Sequence, residues 1–560
     1  MVERRKIAVL LTALSVLALL LTCAYLALRP YEVKAFQFSK RGVIVTEQRF
    51  LTQAIDIEIT HPEDAVVYYT TDGSTPDETA TKYTAPIVLE PATGDFPNCL
   101  LLKAVAYYKD GTFSDVVTHT FFSHVNMNDW AQNLIVSVSG EPEELTEGPD
   151  GILYGENVHI RGETTEREVY VEAIAPTGRT IFEQAAGARV HGGSSRTQPV
   201  KSLKLYARKE YDAYHGMFNI DIFGTVGSDG SVIEKYDKLV LRNHGNAVNW
   251  GGFVLDDLNQ RLATQAGHTD AKSTVPAVYY LNGEYQGFYW LQENVCDEYL
   301  KDKFGGETGN FVVLEAAEIN KQIDNTDPLR AEAAREYNET YARLSQSDLT
   351  DESNYAELCA FIDVENYLEY YAYNIYINSW DWPHNNNKCY RFYAGEDGVY
   401  GEGNLDGRWR YLYHDMDFSF GSYDYHEDSN VAYNKLKQVL DPNDDQYAES
   451  RHSPLLAALL KREDCKTYFI DETLRLMNGV LSAKNVEATL KEIELERGKD
   501  LARFLVFMDE LDPNMFGLSW SEVYKIRMEQ YVFFAEGRPT YMKQFLIQEL
   551  DLPEDYFAKN

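Results

Sequence analysis

Apolar and polar residues alternate along residues 35–123 in short runs such as V-I-V-T, I-D-I-E-I and A-V-V-Y-Y-T, and turn residues separate the runs. A period of two is typical of strands that bury one face and expose the other. The pattern therefore predicts a small antiparallel β-sandwich over residues 35–123.

Strand-like runs dominate again over residues 168–289, among them A-R-V-H-G, K-S-L-K-L-Y-A and K-L-V-L-R-N. Within them, residues 253–267 carry apolar side chains at helical spacing and end in glycine, which predicts one helix. Beyond residue 293 the helical spacing takes over. We therefore predict an α+β domain over residues 167–550, with a β-rich first lobe and a helical second lobe, and we assign residues 124–166 to a linker and first strands.

The first 29 residues contain an unbroken apolar run, residues 7–28, that follows Arg4, Arg5 and Lys6. The run is long enough to cross a bilayer as a helix, and the basic residues before it predict that the amino end stays in the cytoplasm. Because no A-x-A-like cleavage site is clear, we favour an uncleaved signal anchor over a cleaved signal peptide. The sequence thus predicts one transmembrane helix, with the bulk of the chain extracytoplasmic.

The net charge of −36 over 560 residues argues against a nucleic-acid partner, because the phosphate backbone attracts clustered Lys and Arg. Of the six cysteines, five follow the apolar run, an odd number without C-x-x-C spacing. The sequence therefore indicates neither a zinc site nor a disulfide framework. We therefore favour isolated buried thiols, with one or two disulfide bridges as the alternative if the compartment is oxidising.

The first stretch with candidate chemistry is D-W-P-H-N-N-N, which begins at Asp381. A buried helix is predicted to end just before it, and Pro383 prevents the helix from continuing. In protein kinases the catalytic aspartate lies in such a loop and accepts the proton of the acceptor hydroxyl, and an asparagine five positions later binds magnesium. The fifth position after Asp381 is Asn386. A polar turn is the alternative for this stretch alone.

The second stretch is H-D-M-D-F-S-F-G, in which Asp415 and Asp417 lie near the end of a predicted strand. Two positions apart, both carboxylates would project from the same face of that strand. They repel each other unless a cation lies between them, and Mg²⁺ or Mn²⁺ suits such oxygen ligands. A solvent-exposed pair is the alternative, and the neighbouring Tyr411, Tyr413 and Phe418 argue against it.

A third stretch offers contacts for phosphate groups. The turn G-G-S-S, which includes Ser194 and Ser195, precedes a predicted strand that carries Lys201 and Lys204. Two glycines let backbone N–H groups approach phosphate oxygens, and a strand lysine reaches them as a point charge. The G-K-[ST] of a Walker P-loop does not follow, and an ordinary hairpin is the alternative.

Together these stretches resemble the spore coat protein H (CotH) kinase family. The motifs H-G-G-S-S-R-T-Q-P-V-K-S-L-K-L, L-V-L-R-N, D-W-P-H-N-N-N and W-R-Y-L-Y-H-D-M-D-F-S-F-G occur in that family's order. The resemblance implies an atypical protein kinase that uses ATP and Mg²⁺ or Mn²⁺ to phosphorylate serines of spore coat or other extracytoplasmic proteins. In addition, V-Y-Y-T-T-D-G-S-T-P-D and the strands after it resemble the fibronectin-like domain at the C-terminus of chitobiases, an accessory module.

The resemblance also implies roles for individual residues. Asp381 matches the catalytic aspartate, and Lys201 matches the lysine that contacts the α- and β-phosphates. Lys204 is its rival, because Val200 stands where the family often has a second lysine. We expect the two serines of the turn and Glu293 to be associated with the nucleotide site, with a hinge cap as an equal alternative for Glu293. The metal ligands that the family implies are Asn386 or Asn387, with Asp415 and Asp417 as the D-x-D pair.

Two other functions stay open from the sequence alone. A metal-dependent glycosyl- or nucleotidyltransferase could use the same D-x-D pair, because it too must neutralise a departing diphosphate. A non-catalytic surface protein could bind cell-wall glycan through the N-terminal sandwich and use the second domain as a scaffold. The kinase hypothesis requires a protein substrate and a source of ATP outside the cell, where ATP is scarce.

Overall fold

The computed structural model describes residues 48–61, 63–268, 271–315, 327–395, 398–422, 430–443, 451–512 and 517–558. Its architecture is α+β, with an all-β N-terminal region, a β-barrel lobe and a helical lobe. The predicted order, strands first and helices after them, is confirmed.

The N-terminal region is a β-sandwich whose two sheets share one apolar core. Its strands are β1 (Phe50–Leu51), β2 (Ile55–Ile57), β3 (Ala65–Thr70), β4 (Thr81–Lys82), β5 (Ile87–Leu89), β6 (Asn98–Tyr108) and β7 (Val117–Ser123). The larger sheet has the order β1-β7-β6-β3-β4, and β2 pairs with β5. Ile57 from the smaller sheet packs in the same core as Leu102 and Phe121 from the larger one. The all-β prediction is confirmed, while residues 35–47 lie outside the described part.

A closed barrel forms the first lobe of the larger domain. The strands are β8 (Leu134–Ser139), β9 (Arg167–Ile174), β10 (Thr180–His191), β11 (Ser202–Tyr206), β12 (Phe218–Asn219), β13 (Lys235–Tyr236), β14 (Lys238–Arg242), β15 (Thr274–Leu281) and β16 (Glu284–Glu293). The barrel order is β10-β11-β14-β16-β15-β8-β9, and β12 pairs with β13. Two short helices, α1 (Met127–Trp130) and α2 (Pro142–Leu145), flank β8, and α3 (Leu255–Gln265) is the helix predicted over residues 253–267.

The second lobe is mostly helical around a small sheet. Its helices are α4 (Asp297–Phe304), α5 (Pro328–Ser345), α6 (Glu352–Phe361), α7 (Val364–Tyr376), α8 (Lys435–Leu440), α9 (Pro454–Leu459), α10 (Glu463–Asn478), α11 (Ala483–Leu511) and α12 (Trp520–Glu549). The strands β17 (Phe311–Glu315), β18 (Lys388–Phe392) and β19 (Arg410–Tyr411) form its sheet. Short 3₁₀ turns lie at Glu156–His159, Glu163–Thr165, Ser194–Thr197, Gly245–Trp250, Gly403–Leu405 and Tyr556–Ala558.

The fold class predicted from the sequence is wrong in its transmembrane helix. In the described part of the chain, none of the helices combines the length and the apolar character needed to cross a membrane. The longest, α11 and α12, carry charged residues along their whole length, so neither presents an unbroken apolar surface to lipid. The apolar run at residues 7–28, on which the prediction rested, lies outside the described residues.

Arg538 on α12 fixes the C-terminal end of α7, from which the D-W-P-H-N-N-N loop departs. Its buried guanidinium donates hydrogen bonds to the carbonyls of Ile375 and Tyr376, and to those of Val431 and Tyr433. Burial lowers the pKa of Arg538 to about 10. Because the last carbonyls of a helix have no partner within the helix, this arginine satisfies them and holds the helix end in place.

A buried ion-pair cluster centred on Arg49 joins the sandwich to the barrel. The Arg49 guanidinium pairs with Glu172 on β9 and with Glu183 on β10, and the side chains of Arg49 and Glu172 are each 1% exposed. Glu172 also accepts a hydrogen bond of 3.1 Å from the backbone N–H of Thr120 on β7. The two units therefore share a buried polar contact as well as an apolar one.

We expect Arg49→Met to lower the free energy of unfolding by about 3 to 5 kcal/mol, because it leaves Glu172 buried without its cation. Urea denaturation followed by tryptophan fluorescence measures the loss. The matched control is Arg335→Met, because Arg335 pairs with Glu332 and Glu339 on an exposed helix face. The control should leave stability unchanged, and equal losses in both variants would contradict the role of the Arg49 cluster.

Candidate active site

The loop that follows α7 holds the carboxylate of Asp381 with its own side chains. Asn385 Nδ2 donates to Asp381 Oδ2 at 2.8 Å, Asn386 Nδ2 donates to the same oxygen at 3.2 Å, and His384 Nε2 lies 3.3 Å from Oδ1. Asn386 Nδ2 also donates to the backbone carbonyl of Asp415 at 3.2 Å. These contacts orient Asp381 as a hydrogen-bond acceptor and fasten its loop to the H-D-M-D segment.

Asp415 and Asp417 converge on Arg242, but not through the strand that the sequence predicts. β19 ends at Tyr411, and Asp415 has a φ of +51°, so a left-handed bend rather than a shared strand face positions the two carboxylates. Arg242 is the last residue of β14; its guanidinium pairs with Asp415, and its Nη2 lies 3.5 Å from Asp417 Oδ2. One arginine of the barrel lobe therefore contacts both aspartates of the helical lobe.

A third carboxylate, Asp256 on α3, joins this cluster. Its Oδ2 lies 3.4 Å from Arg242 Nε and 3.3 Å from Lys272 Nζ. Burial opposes its ionisation, but Lys272 and Arg242 outweigh burial and lower the pKa of Asp256. In the described part of the chain, Asp256, Asp415 and Asp417 thus share two cations, Arg242 and Lys272, so one carboxylate of the three lacks a cation of its own.

Two buried oxygen atoms of the site, Asp417 Oδ1 and Asn387 Oδ1, have no hydrogen-bond donor among the described residues. Burial and the neighbouring Asp415 raise the pKa of Asp417 well above its ordinary value. Buried oxygens without donors cost free energy, and carboxylate and amide oxygens in a negative environment are the ligands that Mg²⁺ prefers. The residues present therefore fit a divalent metal ion. Asn387 offers a buried amide oxygen, whereas the amide nitrogen of Asn386 donates to Asp381.

Ser194 connects the G-G-S-S turn to the acidic cluster. Its Oγ accepts a hydrogen bond of 2.8 Å from Asn246 Nδ2, and the backbone N–H of Asn246 donates to Asp417 Oδ2 at 3.1 Å. Ser195, the next residue of the turn, is buried. The turn therefore lies beside the aspartates, as a phosphate-binding role requires.

The two candidate lysines lie in different surroundings. Lys201 Nζ donates to the backbone carbonyl of Gln198 and lies 5.5 Å from the centre of the Tyr154 ring. Lys204 on β11 lies near Lys388 of the helical lobe, and burial together with Lys388 lowers the pKa of Lys204 to about 8. Lys204 is thus the lysine that faces the second lobe.

Glu293 is buried at the end of β16, within the barrel lobe. Its carboxylate accepts hydrogen bonds from the hydroxyls of Tyr236 and Tyr299, at 2.9 and 3.0 Å. These contacts tie Glu293 to β13 of its own lobe and to α4 of the helical lobe. Glu315, at the end of β17, pairs with Lys388 at 3.3 Å and partly offsets the lowering of the Lys204 pKa.

Sequence reasoning did not find three residues of the cluster, Arg242, Lys272 and Asn246. The sequence does contain a signal for Arg242, because this arginine ends the apolar run L-V-L-R-N. A charged side chain at the end of a buried strand needs a partner of opposite charge. Lys272 and Asn246 stand in segments without a comparable pattern. Their contribution follows from chain segments that meet only in the folded protein.

Residues 188–542 match the family model described as CotH kinase protein, and this match spans more than half of the 560 residues. The chain belongs to the CotH kinase family. The CotH match begins in β10 and ends in α12, so it includes the G-G-S-S turn and both aspartate motifs. Residues 56–121, within the sandwich, match the model described as Fn3 associated. Both predicted resemblances are therefore confirmed. No match was found among curated proteins.

In this CotH chain, Gly245 lies where a side chain would enter the acidic cluster. Its φ is +66°, and a Cβ there would overlap Asp417 Oδ2 and lie 2.7 Å from Arg242 Nη2. We expect Gly245→Ala to displace the Asp417 carboxylate, which the Cβ would approach most closely, and to weaken Mn²⁺ binding by about tenfold or more, because disturbed metal-site neighbours reduce affinity on that scale. Titration followed by electron paramagnetic resonance (EPR) measures the affinity.

The control for this prediction is Gly224→Ala. Gly224 has a similar φ of +68°, and a Cβ there would meet no described heavy atom within 4 Å beyond its chain neighbours. The control therefore introduces comparable backbone strain without the clash. Equal Mn²⁺ affinities of the two variants would contradict the prediction that Gly245 lies against a metal-binding carboxylate.

Proposed function

We propose that this chain is an ATP- and divalent-metal-dependent protein kinase of the CotH type that phosphorylates hydroxyl groups, serine above all, of extracytoplasmic proteins. The observation that carries the proposal is the cluster between the lobes, where Asp415 and Asp417 meet Arg242 beside the Asp381 loop. Family membership supports the kinase reaction. The extracytoplasmic location and a glycan partner for the sandwich rest on the sequence alone.

The proposed roles of the binding residues follow from their positions. Asp415, Asp417 and Asn387 would hold the metal ion, which when bound neutralises charge on the transferred phosphoryl group and the departing diphosphate. Lys204 would contact nucleotide phosphates as a point charge from the barrel side. The turn at Ser194 would bring backbone N–H groups close to the same phosphates.

Asp381 would act on the protein substrate. Its carboxylate would accept the proton of the substrate hydroxyl while the hydroxyl oxygen bonds to the γ-phosphorus and the bond from that phosphorus to ADP breaks. The amides of Asn385 and Asn386 hold the carboxylate in one orientation, so it need not be ordered at the moment of reaction.

Nucleotide selectivity tests this proposal. We expect ATP with Mn²⁺ to raise the thermal unfolding midpoint of the full chain, since a ligand at 100 times its Kd stabilises a protein by about 2.7 kcal/mol. Lys204→Met should weaken ATP binding by about tenfold, or about 1.4 kcal/mol. Lys201→Met is the matched control and should bind ATP like the wild type, because Lys201 is engaged by Gln198.

Two results would contradict the kinase. Stabilisation by UDP-glucose with Mn²⁺, but not by ATP, would favour a metal-dependent glycosyltransferase. Stabilisation by neither nucleotide would favour a non-catalytic scaffold. An equal loss of ATP binding in both lysine variants would contradict the assignment of the phosphate contact to Lys204.

A further inference from the structure

Arg242 has no part in the roles assigned so far, although it is the most highly connected cation of the site. Its side chain is 7% exposed and contacts Asp256, Asp415 and Asp417. Asp415 and Asp417 are the carboxylates that the proposed function assigns to the metal ion. A guanidinium and a divalent cation repel each other, and both need the negative charge of this pair.

We propose that Arg242 competes with the divalent cation for Asp415 and Asp417. This inference rests on the proposed function, because it takes the metal site as given. The competition follows from position: Arg242 Nη2 pairs with Asp415 and lies 3.5 Å from Asp417 Oδ2, between the two carboxylates. A metal ion that binds Asp415 Oδ1 or Asp417 Oδ2 would have to displace the guanidinium from that oxygen. One that binds the other oxygens of the pair would lie beside the guanidinium and be repelled by it.

The surroundings of Arg242 also include an alternative partner for the displaced guanidinium. Arg242 Nε lies 3.4 Å from Asp256 Oδ2 and has no hydrogen-bond partner among the described residues. A small rotation toward Asp256 would therefore gain a hydrogen bond while it releases the other aspartates. Lys272 and Gln292 hold Asp256 on α3, at 3.3 Å each, so this acceptor stays in place.

The competition has a consequence for the order of binding. A metal ion alone must give up part of its binding energy to move Arg242 or to bind beside it, so its affinity for the protein without nucleotide is low. Nucleotide phosphates add oxygen ligands to the metal and are themselves good partners for a guanidinium. The site therefore takes up metal efficiently only together with nucleotide.

The test is the Kd of Mn²⁺ for the full chain without nucleotide, measured by EPR titration. Arg242→Gln should bind Mn²⁺ about tenfold more tightly than the wild type, which corresponds to about 1.4 kcal/mol. Lys272→Gln is the matched control, since it removes the same charge from Asp256 but contacts neither metal-binding aspartate. Its Mn²⁺ affinity should change much less. Asp417→Asn defines the weak background binding of a chain with a net charge of −36.

Unchanged or weaker Mn²⁺ binding by Arg242→Gln, with native circular dichroism, would overturn the competition. An equal gain in Lys272→Gln would also overturn it, because charge removal alone would then explain the effect. If Arg242→Gln does not fold, Arg242→Lys carries the test. A lysine keeps the charge but lacks the planar fork, so Mn²⁺ should bind about threefold more tightly, and no gain would overturn the inference.

Failure of the proposed function gives a different result. In that case the wild type would bind no Mn²⁺ above the Asp417→Asn background, with or without ATP. Both the metal site and the competition for it would then be wrong. The wild type could instead bind Mn²⁺ with ATP while the Arg242 variants bind it no more tightly. That result would overturn the competition but leave the proposed function intact.

Discussion

Asp381→Asn is expected to lower the rate of phosphoryl transfer by a factor of about 10² to 10⁴, the range that general-base catalysis contributes. The variant keeps the size of the side chain but replaces an acceptor of protons with an amide. Nucleotide binding should stay at the wild-type level, because Asp381 is assigned to the substrate hydroxyl and not to ATP. Initial rates with γ-labelled ATP and thermal shifts with unlabelled ATP measure the two quantities.

The matched control for Asp381 is Asp229→Asn. Asp229 also accepts hydrogen bonds from its own loop, through the backbone N–H and hydroxyl of Ser231, but it lies in an exposed turn. This control should transfer phosphate at the wild-type rate. A transfer rate in Asp381→Asn within about a factor of ten of the wild type would contradict its role as the base.

Asp417→Asn is expected to abolish metal-dependent activity and at the same time to stabilise the protein. The substitution removes the carboxylate that the proposed function assigns to the metal ion, so Mn²⁺ should no longer raise the unfolding midpoint. Without divalent cations, the variant should unfold with a free energy about 1 kcal/mol higher than the wild type, because it removes repulsion from Asp415 and Asp256. Urea denaturation in the presence of a chelator measures this gain.

Asp256→Asn provides the control of opposite sign. Asp256 is neutralised by Arg242 and Lys272, so its replacement leaves buried cations without their partner and should lower stability. If Asp417→Asn and Asp256→Asn both destabilise the chain in the chelator, Asp417 is not the unneutralised carboxylate of the cluster.

The parts of the fold that depend on local pattern could be predicted from the sequence. Alternation of apolar residues revealed the sandwich, and apolar spacing with a closing glycine revealed α3. The order of the motifs revealed the family. The sandwich strands and α3 each depend on neighbouring residues within one segment, so a local pattern suffices to detect them. The family is detected from the order of several such segments along the chain.

The arrangement of the acidic cluster could not be predicted in the same way. Arg242 and Asp415 are 173 positions apart, and Asn246 and Asp417 are 171 apart, so their contacts depend on how the lobes meet. The bend at Asp415 could not be predicted from the sequence either. Its positive φ falls on a residue other than glycine, inside a segment that resembles a strand.

The choice between Lys201 and Lys204 shows a third kind of limit. β11 begins at Ser202, so Lys201 lies just before it. On the strand that the sequence predicts, residues three positions apart would point to opposite faces, so the sequence indicates that only one of the two lysines faces the second lobe. It does not show which face that is. The position of Lys388 in β18, close enough to lower the pKa of Lys204, favours Lys204, and the assignment stays a prediction.

Transfer of labelled phosphate to protein tests the central claim most directly. The full chain is incubated with γ-labelled ATP, Mg²⁺ or Mn²⁺ and a generic protein substrate, beside Asp381→Asn and Asp417→Asn. The proposed function predicts label on serine hydroxyls with the wild type, no label after addition of a chelator, and loss of label in both variants. Failure of the wild type to transfer label while it binds ATP and metal, or undiminished transfer by both variants, would contradict it.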